Sequence, residues 1–95
     1  MNVVGEFVRL LEEAAIETGK ELKADLVEIQ SYVEQRIVHL SRIIDQPGYR
    51  EALIGERDAL ALMVGVRAFD QADAADQRLI GIVTATLASG ARALA

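Results

Sequence analysis

The side chains of this sequence that could carry out chemistry are few and lie at helical spacing. There is one histidine, His39, and no cysteine, so a His-x-x-x-His zinc site, a thiol nucleophile and a disulfide are excluded. Asp70, Asp73 and Asp76 recur every third residue, but no glycine turn or bidentate acid completes a calcium-binding loop around them. The spacing predicts helix caps or a solvated face in place of a metal site.

The remaining charged groups lack the partners that catalysis or cofactor binding would need. The acidic side chains of the first half form one helical stripe: Glu17, Glu21, Asp25 and Glu28. Di-iron helical bundles add a Glu-x-x-His motif to such a stripe, and none is present. Arg36, His39 and Arg42 form a short basic strip that is typical of an exposed helix face. We therefore expect a non-enzymatic protein with no cofactor and no metal.

Composition narrows the class of partner. The chain has 95 residues with 15 acidic and 10 basic side chains, for a net charge of -5, which is the size of one small domain. A nucleic-acid-binding protein needs a basic surface, so we expect no nucleic-acid partner. The longest uncharged run has 13 residues, from Leu79 to Ala91, whereas a transmembrane helix needs roughly 18 to 20. No transmembrane segment is predicted.

The N-terminal segment bears on the compartment. It is acidic within its first dozen residues and has no positively charged region ahead of an apolar run, which predicts that it is not a signal peptide. We expect the protein in the cytoplasm or inside an assembled particle.

An eleven-residue repeat organises the first half of the chain. Apolar side chains recur with 3-4-4 spacing, which corresponds to about 3.67 residues per turn and is close to the pitch of an α-helix. The pattern predicts one nearly straight helix from about residue 3 to about residue 45. The predicted core stripe of this helix consists of Val4, Phe7, Leu11, Leu22, Leu26, Ile29, Val33, Ile37, Leu40 and Ile44.

One motif offers an alternative to a continuous first helix. Thr18-Gly19-Lys20-Glu21 matches a capping box and would start a new helix at Thr18. The apolar repeat nevertheless continues from Leu11 to Leu22 without a slip. We therefore predict a continuous helix in which Gly19 is a weak point that costs about 1 kcal/mol relative to alanine.

The single proline marks a change of direction near the midpoint. Pro47 and Gly48 predict a reverse turn at about residues 45 to 49; alternatively, Pro47 is the first residue of a new helix capped by Asp45 or Gln46. The predicted fold class is all-α, a single domain formed by an antiparallel two-helix hairpin whose arms would each be roughly 65 Å long.

The second arm is predicted as a helix from about residue 50 to about residue 93, because it is rich in good helix formers and contains no further proline. The alternative is a break near 70–73, where Asp73 would cap a separate C-terminal helix with Asp76 in its first turn. Small residues at helical spacing predict close helix packing along this arm at Ala61, Gly65, Ala68, Ala72, Gly81, Ala85 and Ala88. In a hairpin that folds about residue 47, positions i and roughly 95 − i lie opposite each other, which pairs Phe7 with Gly90 and Leu22 with Ala75.

Two further apolar lines on the first helix have no use inside a two-helix hairpin. One line contains Ile16, Val27 and Val38. The other contains Leu10, Tyr32 and Ile43. Since 52% of the chain is hydrophobic and each helix of a hairpin hides only one stripe, we predict that these two lines are subunit contacts in a helical-bundle homo-oligomer.

The predicted function is that of a self-associating structural subunit or adaptor in a larger protein assembly. The composition is typical of small helical components of bacteriophage particles and tails. The hairpin also resembles, in outline, the small secreted helical hairpins named for a Trp-x-Gly motif at their turn, although Pro47-Gly48-Tyr49 stands at that position and the chain has no tryptophan; the resemblance implies secretion. A different class of function is also open, namely a small acidic regulatory protein that docks on one protein partner.

Overall fold

The computed structural model of the chain describes residues 3–19, 25–66 and 71–95. Within these ranges the secondary structure is all-helical, with no strand, and this confirms the all-α class. The four α-helices are α1 (Val3–Thr18), α2 (Leu26–Ile43), α3 (Tyr49–Met63) and α4 (Ala74–Leu94).

Like α2, helix α4 contacts each of the other three helices. Its buried side chains lie three or four residues apart and include Leu79, Val83 and Leu87, so they occupy one face. The longest dimension of the molecule is 38 Å. A straight arm of the expected length would be roughly 65 Å long, so each predicted arm is interrupted and the helices fold back on one another.

The first interruption contradicts the expected continuous helix from residue 3 to residue 45. Helix α1 ends at Thr18, whose hydroxyl donates to the carbonyl of Ala14 at 2.6 Å, and Gly19 follows with a φ of 70°. That left-handed conformation terminates helices and favours glycine. Helix α2 then begins after Asp25, whose carboxylate accepts a hydrogen bond from the backbone N–H of Val27 at 2.8 Å. Gly19 is therefore the stop signal of α1, and the new helix is capped by Asp25 and not by Thr18.

The turn at the midpoint contains Pro47 and Gly48. It is closed by backbone hydrogen bonds from the N–H of Gln46 to the carbonyl of Ile43 (2.9 Å) and from the N–H of Tyr49 to the carbonyl of Gln46 (3.1 Å). Gly48 is the N-cap of α3 and makes no side-chain cap, so neither alternative cap at Asp45 or Gln46 is formed. Arg36 and Glu56 form an ion pair at 3.4 Å that joins α2 to α3.

The sequence offered a break near residues 70–73 as an alternative, and the second interruption begins earlier than that. Helix α3 ends at Met63, and Gly65 has a φ of 101°. The N–H of Gly65 donates to the carbonyl of Leu62, and the N–H of Val66 donates to the carbonyl of Ala61, which is the hydrogen-bond pattern of a Schellman motif. Ala68 and Asp70 lie outside the described residues.

Helix α4 then begins in the way that the sequence indicated. The carboxylate of Asp73 accepts from the N–H of Asp76 at 2.9 Å, and the N–H of Asp73 donates to the carboxylate of Asp76 at 3.2 Å. This reciprocal pair is a capping box. The alternative of a separate C-terminal helix capped by Asp73 is confirmed.

Candidate functional site

An open apolar groove with a volume of about 490 Å³ lies between three helices. It lies where the start of α1, the middle of α2 and the end of α4 meet. Its apolar lining is formed by Val3, Val4, Ile37, Val38, Ala93 and Leu94. Glu34 is the one charged residue in the lining, and Gly90 completes it. We call this surface the α1/α2/α4 groove.

A close contact between two helices positions this groove. A β-carbon added to Gly90 would lie 2.5 Å from Cδ1 of Ile37 and 2.9 Å from its Cγ1, distances so short that Ile37 would have to move. The absence of a side chain at Gly90 therefore lets α2 approach α4 closely. Val38, the residue after Ile37, is thereby held at the edge of the groove.

The outer face of α2 continues from this groove. We define it as Val27, Ser31, Glu34 and Val38, which follow one another at intervals of four, three and four residues and are all exposed. Val27 keeps 71% of its surface and Val38 keeps 39%. Leu94, on the opposite side of the groove from Val38, is 58% exposed. Three aliphatic side chains thus remain uncovered by the chain's own helices.

The described members of the predicted core stripe lie in or against the core. Phe7, Leu11, Ile29, Val33, Ile37 and Leu40 are buried, and Val4, Leu26 and Ile44 are half-buried against them. Leu22 lies outside the described residues, and so does its expected contact with Ala75. α3 and α4 contribute the other side of the core, including Leu60, Val83 and Leu87.

The predicted subunit contacts do not form two continuous lines. Ile16 is 82% exposed, but it belongs to α1, and the break between the helices separates it from Val27 and Val38 on α2. The second line also differs from the expectation, because Tyr32 and Ile43 pack partly against the chain's own core. Leu10 is half-buried and borders a smaller cavity of about 190 Å³ beside Val3 and Ser89.

The predicted rows of close-packed small residues are corrected as well. Ala61 is buried, while Ala72 and Ala88 are half-buried. Gly81 and Ala85 are exposed, and nothing lies within 4 Å of a β-carbon added to Gly81. The close approach instead occurs at Gly90. The predicted row that includes Gly65 is also wrong, because Gly65 lies beyond the last residue of α3 and is not part of a helix.

Several of the charged residues considered for chemistry take part in caps or ion pairs. Glu17 pairs with Arg78 of α4, and Arg36 lies 5.1 Å from the ring centroid of Tyr32 besides pairing with Glu56. Across residues 3–19, 25–66 and 71–95, no group of three metal-ligating side chains comes together. His39 is exposed on α2.

Helix α1 contains four glutamates and a single basic residue, Arg9, so it keeps a net negative charge. Arg9 forms ion pairs with Glu6 and, at 3.0 Å, with Glu13. The hydrogen bond from Arg9 lowers the pKa of the Glu6 carboxyl below its ordinary value. None of the helices in the described part of the chain combines the length and apolar character needed to cross a bilayer.

The described residues of the groove and of the outer face of α2 offer apolar side chains, the hydroxyl of Ser31 and the carboxylate of Glu34. Comparison with known proteins adds no further constraint, because no protein-family model, curated protein or solved structure matches the chain.

Proposed function

We propose that this protein is a non-enzymatic helical subunit that self-associates and serves as a structural component or adaptor of a larger assembly. The observation that carries the proposal is the uncovered aliphatic surface at the α1/α2/α4 groove, where Val38 and Leu94 remain exposed beside a core that is complete without them.

Energetic considerations support a protein partner for this surface. Complete burial of a fully exposed valine or leucine contributes about 1.5 to 3 kcal/mol. Val38 is 39% exposed and Leu94 is 58% exposed, so each would contribute only part of that amount when the groove is filled. Exposed apolar residues are unremarkable when they are scattered singly. Here Val38 and Leu94 border the same groove, and a contiguous apolar patch of this kind is typical of an interaction site.

We propose that the subunit is an antiparallel hairpin whose two arms are each bent at their interruption. The ion pair between Glu17 and Arg78 supports this, because their numbers add to 95, the register expected for a chain that folds about residue 47. The pair between Arg36 and Glu56 joins the inner halves of the arms near the turn. In this proposal α1 and α2 form the first arm and α3 and α4 form the second arm. The bend in each arm shortens the molecule.

The assembly that such a subunit would serve is one built from repeated copies. A bacteriophage particle or tail is an assembly of this kind, and the acidic net charge of -5 favours protein over nucleic acid as its neighbour. The same surface would serve a regulator that binds one partner, and the two functions differ in copy number.

Mass measurement over a range of protein concentrations tests the proposal. Light scattering and native mass spectrometry should give a defined multiple of the 10.3 kDa chain mass at micromolar concentration, with dissociation on dilution. A monodisperse particle of 10.3 kDa at every concentration would contradict self-association and would favour the one-partner regulator.

A further inference from the structure

We infer that two copies of this chain exchange α1, so that the α1 of each copy packs against the α2 and α4 of the other. The inference rests on the proposed self-association and gives it a contact that is separate from the outer face of α2. Exchange of an identical element is a low-cost route to a dimer, because every contact that holds α1 in the single chain is formed again between the two chains.

Helix α1 has the position of an exchangeable element. It is the first described helix, and among the described residues it contacts α2 and α4 but not α3. Its inner face contributes Phe7, Leu11 and Ala14, which are all fully buried. When α1 leaves, the site that remains on α2 and α4 has the shape of this face, and the α1 of a second copy fills it with the same side chains.

The connection between α1 and α2 begins and ends at the surface. Thr18, Gly19 and Asp25 are all exposed, and nothing lies within 4 Å of a β-carbon added to Gly19. The chain from Gly19 to Asp25 has seven residues, which span up to roughly 23 to 25 Å when extended. This reach exceeds the smallest dimension of the molecule, 17 Å, so α1 can reach the corresponding site on a neighbouring copy.

The break before α4 does not offer the same freedom. Gly65 lies between Val64 and Val66, which are both buried in the core. Hydrogen bonds from the N–H groups of Gly65 and Val66 tie this segment to the last turn of α3. Helix α4 also contacts all three other helices. Release of α4 would therefore expose more apolar surface than release of α1, which makes α1 the helix that exchanges.

The backbone at Gly19 distinguishes the closed chain from the exchanged dimer. Its φ of 70° lies in the left-handed region, which residues with a side chain enter at a cost. The closed chain has this conformation at the end of α1, whereas a connection that leads to a second copy takes another course. Substitution of Gly19 therefore raises the free energy of the closed chain more than that of the dimer.

An ion pair marks the contact that changes partners. Glu17 at the end of α1 pairs with Arg78 of α4, so in the exchanged dimer Glu17 of each copy pairs with Arg78 of the other. The pair between Arg36 and Glu56 joins α2 to α3 and stays within one chain. The two pairs therefore respond differently when complementary variants are mixed.

Substitution of Gly19 gives the first test. Gly19→Ala destabilises the closed chain, so sedimentation equilibrium should show a dissociation constant of the dimer about tenfold below that of the wild type. Gly55→Ala adds the same methyl group at an exposed position of α3 with nothing within 4 Å, and it should leave the constant unchanged. Equal constants for the two variants would contradict exchange through the connection at Gly19.

Charge reversal in separate chains gives the decisive test. Glu17→Arg and Arg78→Glu each place like charges at this contact, in the closed chain and in a homodimer alike. An exchanged heterodimer of the two variants restores opposite charges twice. When an equal mixture is unfolded and refolded together, native mass spectrometry should show a ratio of heterodimer to homodimer about tenfold above that of random pairing. The mixture of Arg36→Glu with Glu56→Arg carries the same changes of net charge and should pair at random.

The outcomes separate the exchange from the proposed function. Random pairing of Glu17→Arg with Arg78→Glu, in chains that light scattering shows to be dimeric, would refute the exchange and leave self-association standing. Equal enrichment of heterodimers in both mixtures would also refute it, because net charge and not α1 would then select the partner. A monomer of 10.3 kDa at every concentration refutes the exchange and the proposed self-association together.

Discussion

The two faces of α2 carry apolar residues at the same spacing, but they differ in burial. On the inner face Ile29 and Leu40 lie eleven residues apart and are buried by the chain's other helices. On the outer face Val27 and Val38 lie eleven residues apart and remain exposed. A sequence repeat therefore identifies the residues that share a helix face. Whether that face is buried depends on where the neighbouring helices lie.

The inner face of α2 packs closely against α4. Ile37 lies against Gly90 of α4, where a β-carbon would overlap it, and Val33 is fully buried. The outer face borders an open groove at Val38. We therefore expect substitutions on the inner face to act on the folding of one chain and substitutions on the outer face to act on association. The following predictions test this division, beginning with the largest effect on folding.

Ile29→Asp should unfold the protein. Ile29 is fully buried, and an unpaired carboxylate at that position would cost several kcal/mol, a large share of the roughly 5 to 15 kcal/mol that stabilises a small domain. Leu26, also on the predicted core stripe, is only half-buried and is a weaker test. Circular dichroism should show loss of helix in Ile29→Asp at 25 °C.

Val27→Asp is the matched control on the outer face of the same helix turn. The side chain is exposed and lies at the start of α2, where a negative charge is favourable by about 0.3 to 1 kcal/mol. At concentrations where the wild type is monomeric, its helicity and thermal midpoint should remain close to those of the wild type. Equal loss of structure in both variants would mean that the two faces of α2 are not distinguished by burial.

The same division can be tested with a single methyl group on α4. Gly90→Ala introduces a β-carbon that would lie 2.5 Å from Ile37, and overpacking of this kind costs about 1 to 3 kcal/mol. Gly81→Ala adds the same group at an exposed position with nothing within 4 Å and should stabilise the helix by up to about 1 kcal/mol. Urea unfolding of the two variants should shift in opposite directions. A shift in the same direction would show that Ile37 moves aside without cost.

The sequence predicted an all-helical chain and the position of the turn at Pro47 and Gly48, because each depends on local signals. It did not predict the end of α1 at Gly19. The apolar repeat carries on in phase from Leu11 to Leu26, and phase alone does not reveal whether the residues between are helical. Gly19 has a φ of 70°. A glycine is a local signal for the end of a helix, but the prediction gave more weight to the apolar repeat.

The start of α4 after the second break was easier to predict, because side chains close to each other in the sequence specify it. Asp73 and Asp76 can cap a helix through hydrogen bonds between near neighbours, so a short motif specifies where α4 begins. Gly65 carried a similar signal for the end of α3 but was interpreted as a packing residue. At Gly65 the terminating and close-packing roles of a glycine looked alike in the helical spacing pattern, whereas Gly19 was interpreted as a weak point of a continuous helix.

The groove could be predicted only in part. Val38 was expected to face outward, but Leu94 and Val3, which complete the groove, belong to other helices and carry no periodic signal that connects them to Val38. Their proximity results from the bends that shorten the molecule to 38 Å. A surface assembled from three helices requires tertiary information that a single repeat does not contain.

The smallest effect on folding is expected for the double change Val27→Glu with Val38→Glu, which should nevertheless have the largest effect on assembly. Both side chains are exposed in the isolated chain, so the free energy of unfolding, measured at concentrations where the wild type is monomeric, should change by no more than about 0.5 kcal/mol. Burial of two carboxylates at an apolar contact should cost more than the contact supplies. Sedimentation should therefore show a helical chain whose dissociation constant is raised at least about tenfold, whereas the matched pair Ile54→Glu with Leu62→Glu on α3 should associate as the wild type does. If the Val27 and Val38 variant sediments with unchanged concentration dependence, the outer face of α2 is ordinary solvated surface and the contrast between the two faces has no bearing on assembly.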